Sequence, residues 1–166
     1  MDNTETVEDK VRSLLGGAQT MFLSTCSDGV PWGAGTFFAE SDSFTLSLVL
    51  EAQGRTLANI KANPDVAIVV SNGDPYAPFL QGHATAVVLG DDDKARTCES
   101  IVAKAPQSAP FMDAPIVPVS LQVSKWRVTD VVNGWLPGKE LAAPTGMTLD
   151  LRDEAATAQD ATSASL

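Results

Sequence analysis

Arg55 and Thr56 open a short helical stretch, Gly54 to Pro64, read GRTLANIKANP. A helix start offers unpaired backbone N–H groups and the positive end of the helix dipole, so an anion such as a phosphate can dock there. An arginine at that end is unfavourable for the dipole by itself, which an anionic ligand would explain; a solvated surface charge is the competing reading. Other reactive residues are few. His83 is the single histidine; its type suits proton transfer, but its place in a strand reads as a half-buried structural residue. Cys26 and Cys98 form no CxxC pair, and with one histidine a Cys/His zinc site has too few ligands. Asp91, Asp92 and Asp93 stand at a helix start, where they complement the dipole; the other ligands of a calcium loop at EF-hand spacing are missing. The chain has no GxSxG elbow, no Walker sequence and no GxGxxG fingerprint. No side chain is singled out as catalytic.

The elements that position Arg55 are mainly strands. MFLSTC (Met21–Cys26) and VPWGAGTFF (Val30–Phe38) flank Asp28-Gly29, a pair that supplies the positive φ angles of a tight hairpin. FTLSLVL (Phe44–Leu50) precedes the short helix, and Asn63-Pro64 ends it, because the residue before proline is pushed out of the helical region. VAIVV (Val66–Val70) and FLQGHATAVVL (Phe79–Leu89) follow. Gly33 and Gly35 weaken the second strand and mark either a bulge or a close approach by a ligand. Before all of these, Val7, Val11, Leu14 and Leu15 recur at helical spacing, with Thr4 as cap and Gly16-Gly17 as stop. A second internal helix begins at Asp91, with Ala95, Cys98, Ile101 and Val102 on one face. After a proline-rich connection, IVPVSLQVSKWRVTDVV gives one or two more strands, bracketed in its second half by Trp126 and Trp135. The sum is a mainly β chain: six or seven antiparallel strands, with two or three short helices, forming a small closed or half-open barrel.

The bulk numbers set limits. The 166 residues fit one domain with a core of its own, since a chain near 150 residues buries roughly 68–70% of its unfolded surface. A net charge of −10 with only eleven Lys and Arg opposes nucleic-acid binding. No apolar run reaches the ~20 residues of a membrane span, and the acidic N-terminus lacks the order of a secretory signal, so a cytoplasmic location is expected. Strand and helix signals fade from about Leu141. The expected organisation is one domain over residues 1–141 and a weakly ordered, small-residue tail over 142–166.

The order strand, Asp-Gly turn, glycine-bearing strand, strand and Arg-led helix ending in Asn-Pro resembles the pyridoxamine 5′-phosphate oxidase-like family of FMN-binding split barrels. The likeness runs from Val7 to Leu141. Its most diagnostic piece is GRTLANIKANPDVAIVV, supported by Gly82 in LQGHATAV and by WRVTDVVNGW. The resemblance implies a split barrel, a homodimer, and FMN at the dimer interface. It implies that Arg55 binds the phosphate bidentately, as a planar guanidinium suits. Thr56 stands where lysine is common, keeping a hydroxyl donor and losing a charge. Ala34, Gly35, Thr36 and Phe37 would pass the flavin ring, Leu50 would lie near the phosphate end, Gln81 would face the groove, and Trp135 would come from the partner subunit or close the edge. The Arg-x-His element by which members that oxidise pyridoxine phosphates bind substrate is missing, so that substrate is not implied. The implied activity is a flavin-dependent oxidoreductase acting on a small organic molecule. The deazaflavin F420, haem, or a non-catalytic binding barrel are the alternatives.

Overall fold

The computed structural model describes residues 5–146. Beyond Gly146 the expected tail lies outside the described residues, as does Thr4. The first helix, α1 (Val7–Gly17), is capped by Thr6. Thr6 and Asp9 exchange side-chain and backbone hydrogen bonds, a reciprocal capping box that satisfies two helix-start donors. Val11 and Leu15 are its buried residues.

Strands β1 (Thr20–Ser27) and β2 (Val30–Phe37) form the expected hairpin. Asp28 and Gly29 both take positive φ, 52° and 73°, the conformation a two-residue hairpin loop demands. A four-residue strand that the sequence reading omits, β3 (Ala39–Asp42), then pairs with β4 (Thr45–Glu51). Helix α2 (Arg55–Ala62) follows, then β5 (Asp65–Val70) and β6 (Phe79–Val88). The three aspartates form a 3-10 turn, Asp91–Asp93, and α3 (Lys94–Lys104) continues from it. Its buried residues are Thr97 and Ile101, with Cys98 and Val102 half-buried and Ala95 exposed, so the apolar face is rotated from the one expected. A further 3-10 segment, Pro106–Phe111, leads to the long strand β7 (Ile116–Asp130) and to β8 (Trp135–Ala142).

The sheet is antiparallel. Seven strands run in the order β2-β1-β5-β6-β7-β4-β3, and β8 adds to β7 beside that path. Alternation explains the core: Met21, Leu23 and Thr25 of β1 point inward with Leu46, Leu48 and Leu50 of β4, while Phe22 and Ser24 point out. The sheet curls until β2 meets β4. Leu57 and Ile60 place α2 in the same core. Asn59 also donates to Thr25 Oγ1 at 2.9 Å, and Asn63 to the Cys26 carbonyl at 3.0 Å, pinning α2 to β1.

Trp126 is fully buried and donates its indole N–H to the Ser43 carbonyl at 2.6 Å. Its ring lies on Gly82, where a Cβ would stand 2.5 Å from Cζ3. That contact is a packing reason for the glycine. At the far end, Asp130 is fully buried and pairs with Lys10 of α1 at 2.9 Å, while Asn133 donates to both carboxylate oxygens. Among the described residues no helix is long and apolar enough to cross a membrane.

Candidate functional site

β2, the end of β4 and the start of α2 converge because the curled sheet brings β2 against both. Between β1, β2, the end of β4 and the Phe111–Ile116 connection lies an open groove of about 680 Å³; its rim reaches Glu51, four residues before Arg55, and no residue of α2 lines it. Gly35, Thr36 and Phe37 line one wall with Phe22; Val49, Glu51 and Ile116 line another; Phe111 and Met112 overhang it. The Phe37 and Phe111 rings meet at 6.0 Å between centroids, tilted by 41°. The wall is mostly apolar, and among the described residues that line it Glu51 is the only titratable one.

Glycine shapes the β2 side. In register, Phe22 faces Gly35 and Ser24 faces Gly33. A Cβ at either glycine would meet no heavy atom within 4 Å, so neither glycine is demanded by packing within this chain. The bulge alternative finds no support here, since the pairing of β1 with β2 runs without a shift from Thr20–Phe37 to Ser27–Val30. Phe22 stays 56% exposed as a result.

At the head of α2, Gly54 is the N-cap and provides no side-chain oxygen to the first turn. Arg55 is exposed, and among the described residues it has no carboxylate partner. Its guanidinium lies 4.5 Å from the centroid of the Trp32 ring, an arrangement that orients the fork without neutralising it. Thr56 is half-buried beside it. The Glu51 carboxylate approaches the same turn: a Cβ on Gly54 would stand 3.4 Å from Glu51 Oε2.

The remaining sequence candidates divide. Ala34 faces inward opposite Leu23. Leu50 is buried in the core, and its strand neighbours Val49 and Glu51 line the groove in its place. Gln81 is exposed on the outer sheet face, in register with Val69 and Arg127, two strands from Phe22. Trp135 starts β8 at the other end of the sheet, with the Lys139 ammonium 4.0 Å over its ring. Within one chain, therefore, neither Gln81 nor Trp135 reaches the groove. His83 is exposed rather than half-buried, with Nδ1 3.2 Å from Ser124 Oγ, and does not line the groove. Sequence reasoning missed Glu51, Phe111, Met112 and Ile116. Strand alternation could have found Glu51, while the others come from a connection whose course no local pattern encodes.

Residues 7–130 match the family described as pyridoxamine 5′-phosphate oxidase. Among solved structures, an FAD-binding protein from Mesorhizobium loti is similar at 16% identity and a TM-score of 0.60, over 72% of this chain and 91% of that one. General stress protein 26 from Bacillus anthracis is similar at 16% identity and a TM-score of 0.63, over 82% and 98%. A haem-binding protein from Mycobacterium smegmatis is similar at 14% identity and a TM-score of 0.69, over 82% of this chain but only 58% of its own. At such identities the likeness is one of fold. No curated protein sequence matches the chain.

Proposed function

This chain belongs to the pyridoxamine 5′-phosphate oxidase-like family of split barrels, and from that premise we propose that it is a flavin-binding oxidoreductase, with FMN as the cofactor and a small organic molecule as substrate. The observation that carries the reading is Arg55, a guanidinium with no ion-pair partner among the described residues, at a helix start four residues beyond Glu51 on the rim of a mostly apolar groove. A flat ring fits a wall from which Gly35 removes a side chain. An anionic group fits the α2 start, where Arg55 offers two parallel donors and the first-turn N–H groups have no side-chain cap.

The chain's own residues then have distinct tasks. Arg55 binds the phosphate, held in place by Trp32; Thr56 adds a hydroxyl donor. Gly35, Thr36 and Phe37 run past the ring, and Phe111 and Met112 shield it from water. Thr36 already donates to the Phe37 carbonyl at 3.1 Å, so its oxygen serves as an acceptor. The flavin itself supplies hydride or electron transfer, and the absence of an acid or base among the groove's residues, Glu51 apart, agrees with a cofactor-centred reaction. A second copy of the chain belongs on the exposed face around Phe22, bringing Gln81 and Trp135 to the groove of its partner. A homodimer is part of this reading.

Two alternatives are weaker. F420 carries a long acidic tail that calls for a basic groove, and this groove is lined by one carboxylate and no Lys or Arg. Haem would have a single histidine, which lies outside the groove. A non-catalytic barrel remains the reading if no cofactor binds, with Thr56 in the lysine position as its support. Arg55→Ala tests the assignment. FMN affinity falls by about 1 to 3 kcal/mol, the scale of a lost charge-assisted hydrogen bond; full retention of FMN by the variant overturns the phosphate site.

A further inference from the structure

Resting on the flavin reading, we infer that Glu51 is a specificity-determining residue: it opposes the phosphate that Arg55 attracts, so that the preference for FMN over phosphate-free riboflavin is smaller than Arg55 alone would give. Three observations lead there. Glu51 ends β4 and, among the described residues that line the groove, is the only titratable one, so it supplies the one full charge of that described wall. Its carboxylate leans toward the head of α2, where Oε2 would stand 3.4 Å from a Cβ on Gly54, the N-cap. And it forms no ion pair with Arg55, whose guanidinium turns to Trp32 instead.

The consequence is electrostatic. An anion arriving at the α2 start meets one positive and one negative side chain, and Thr56 adds no charge. The favourable field of Arg55 is then partly offset at close range, while the guanidinium, the backbone N–H groups and the hydroxyl remain as donors. A flavin lacking the phosphate loses little by comparison, because its ring and ribityl chain meet a mostly apolar wall. Glutamine at position 51 keeps the shape and removes the charge, leaving Arg55 unopposed.

The test is a fluorescence titration of riboflavin and of FMN against the full chain and its Glu51→Gln variant, at low and at high salt. The expected result is that Glu51→Gln tightens FMN about tenfold, the order of one unit charge removed at close range near a protein surface, and leaves riboflavin within about twofold. FMN binding by the variant also becomes more salt-sensitive than that of the parent, since an uncancelled charge is screened. An unchanged ratio of the two affinities overturns the inference and leaves the flavin reading standing. Equal weakening of both flavins also overturns it, because Glu51 would then be an acceptor for the ribityl hydroxyls. No binding of either flavin by either protein overturns both the inference and the reading beneath it.

Discussion

The Arg55 guanidinium rests on the Trp32 indole, 4.5 Å from the ring centroid, rather than on any carboxylate. The two residues come from different elements, the head of α2 and the middle of β2, so the contact spans the hairpin and the helix that frame the candidate site. An exposed arginine on a flexible stem otherwise loses rotamer freedom when it binds an anion. Stacking holds the fork in advance.

Trp32→Leu removes that support and keeps the charge. FMN affinity falls two- to fivefold, the range of an exposed cation–π contact of about 0.5–1 kcal/mol, while Arg55→Ala costs more. Flavin fluorescence titration measures both. Equal losses in the two variants would mean that Trp32 touches the flavin directly.

Gly35→Val separates ligand space from strand design. Valine suits a strand better than glycine, and a Cβ at that position meets nothing within 4 Å. Thermal stability holds or rises slightly, and flavin binding falls at least tenfold because the side chain fills the groove wall. Unimpaired binding would move the ring elsewhere.

Gly82→Ala has the opposite profile. The added methyl would stand 2.5 Å from Trp126 Cζ3, in a fully buried contact. Overpacking of this kind costs about 2 kcal/mol, read as a lowered denaturation midpoint without loss of the groove residues.

The pair of Lys10 and Asp130 sets an acid limit on stability. Burial pushes the Asp130 carboxyl up, but hydrogen bonds from the Asn133 side chain, from Lys10 and from the Asn133 backbone more than offset it, so the group titrates below the ordinary range. Its folded pKa thus lies under the unfolded value of about 3.9, and the stabilisation it provides is present above that pH and lost as pH falls through the folded pKa. The Lys10 ammonium is raised, chiefly by its hydrogen bond to Asp130. Its contribution is full below the unfolded lysine value of about 10.4 and is lost above it as pH rises through the folded pKa. Asp130→Asn is therefore less stable than the parent by about 2 kcal/mol at pH 7, and the gap starts to narrow as pH falls below about 4 and goes on narrowing through the folded pKa. Urea denaturation across the pH range measures it; a gap that stays constant or widens as pH falls from about 7 through the acid range would contradict the account.

Phe22→Glu tests the proposed second copy. Phe22 is 56% exposed on an outer face whose neighbours are Gly35 and Val69, and a charge there disfavours an apolar interface. Light scattering finds the parent as a dimer and the variant as a monomer. A monomeric parent would remove the partner's Gln81 and Trp135 from the site.

Much of this architecture is legible in the sequence where local physics decides it. Asp28-Gly29 specifies its hairpin because few other residues tolerate two positive φ angles, and Asn63-Pro64 stops α2 where proline forbids continuation. The head of α2 is legible for the same reason. The groove is less so. Leu50 shows why: residues on a strand alternate faces, and its neighbours Val49 and Glu51 line the groove while Leu50 fills the core. Phe111 and Met112 reach the groove from a connection far along the chain, a tertiary fact with no local signature. β8 is obscured by Pro137 and Gly138, which read as strand breakers but are tolerated on a strand paired on one side only. At Gly138 the backbone of β8 passes so close to β7 that a Cβ would stand 2.7 Å from the Val128 carbonyl oxygen.

The central claim is that the groove beside Arg55 holds a flavin. An absorbance spectrum of the purified protein, recorded before and after adding FMN and paired with mass spectrometry of any released ligand, tests it most directly. The account predicts the visible absorption bands of a protein-bound flavin, saturating at one flavin per chain. A colourless protein whose spectrum with FMN is the simple sum of the two would contradict it.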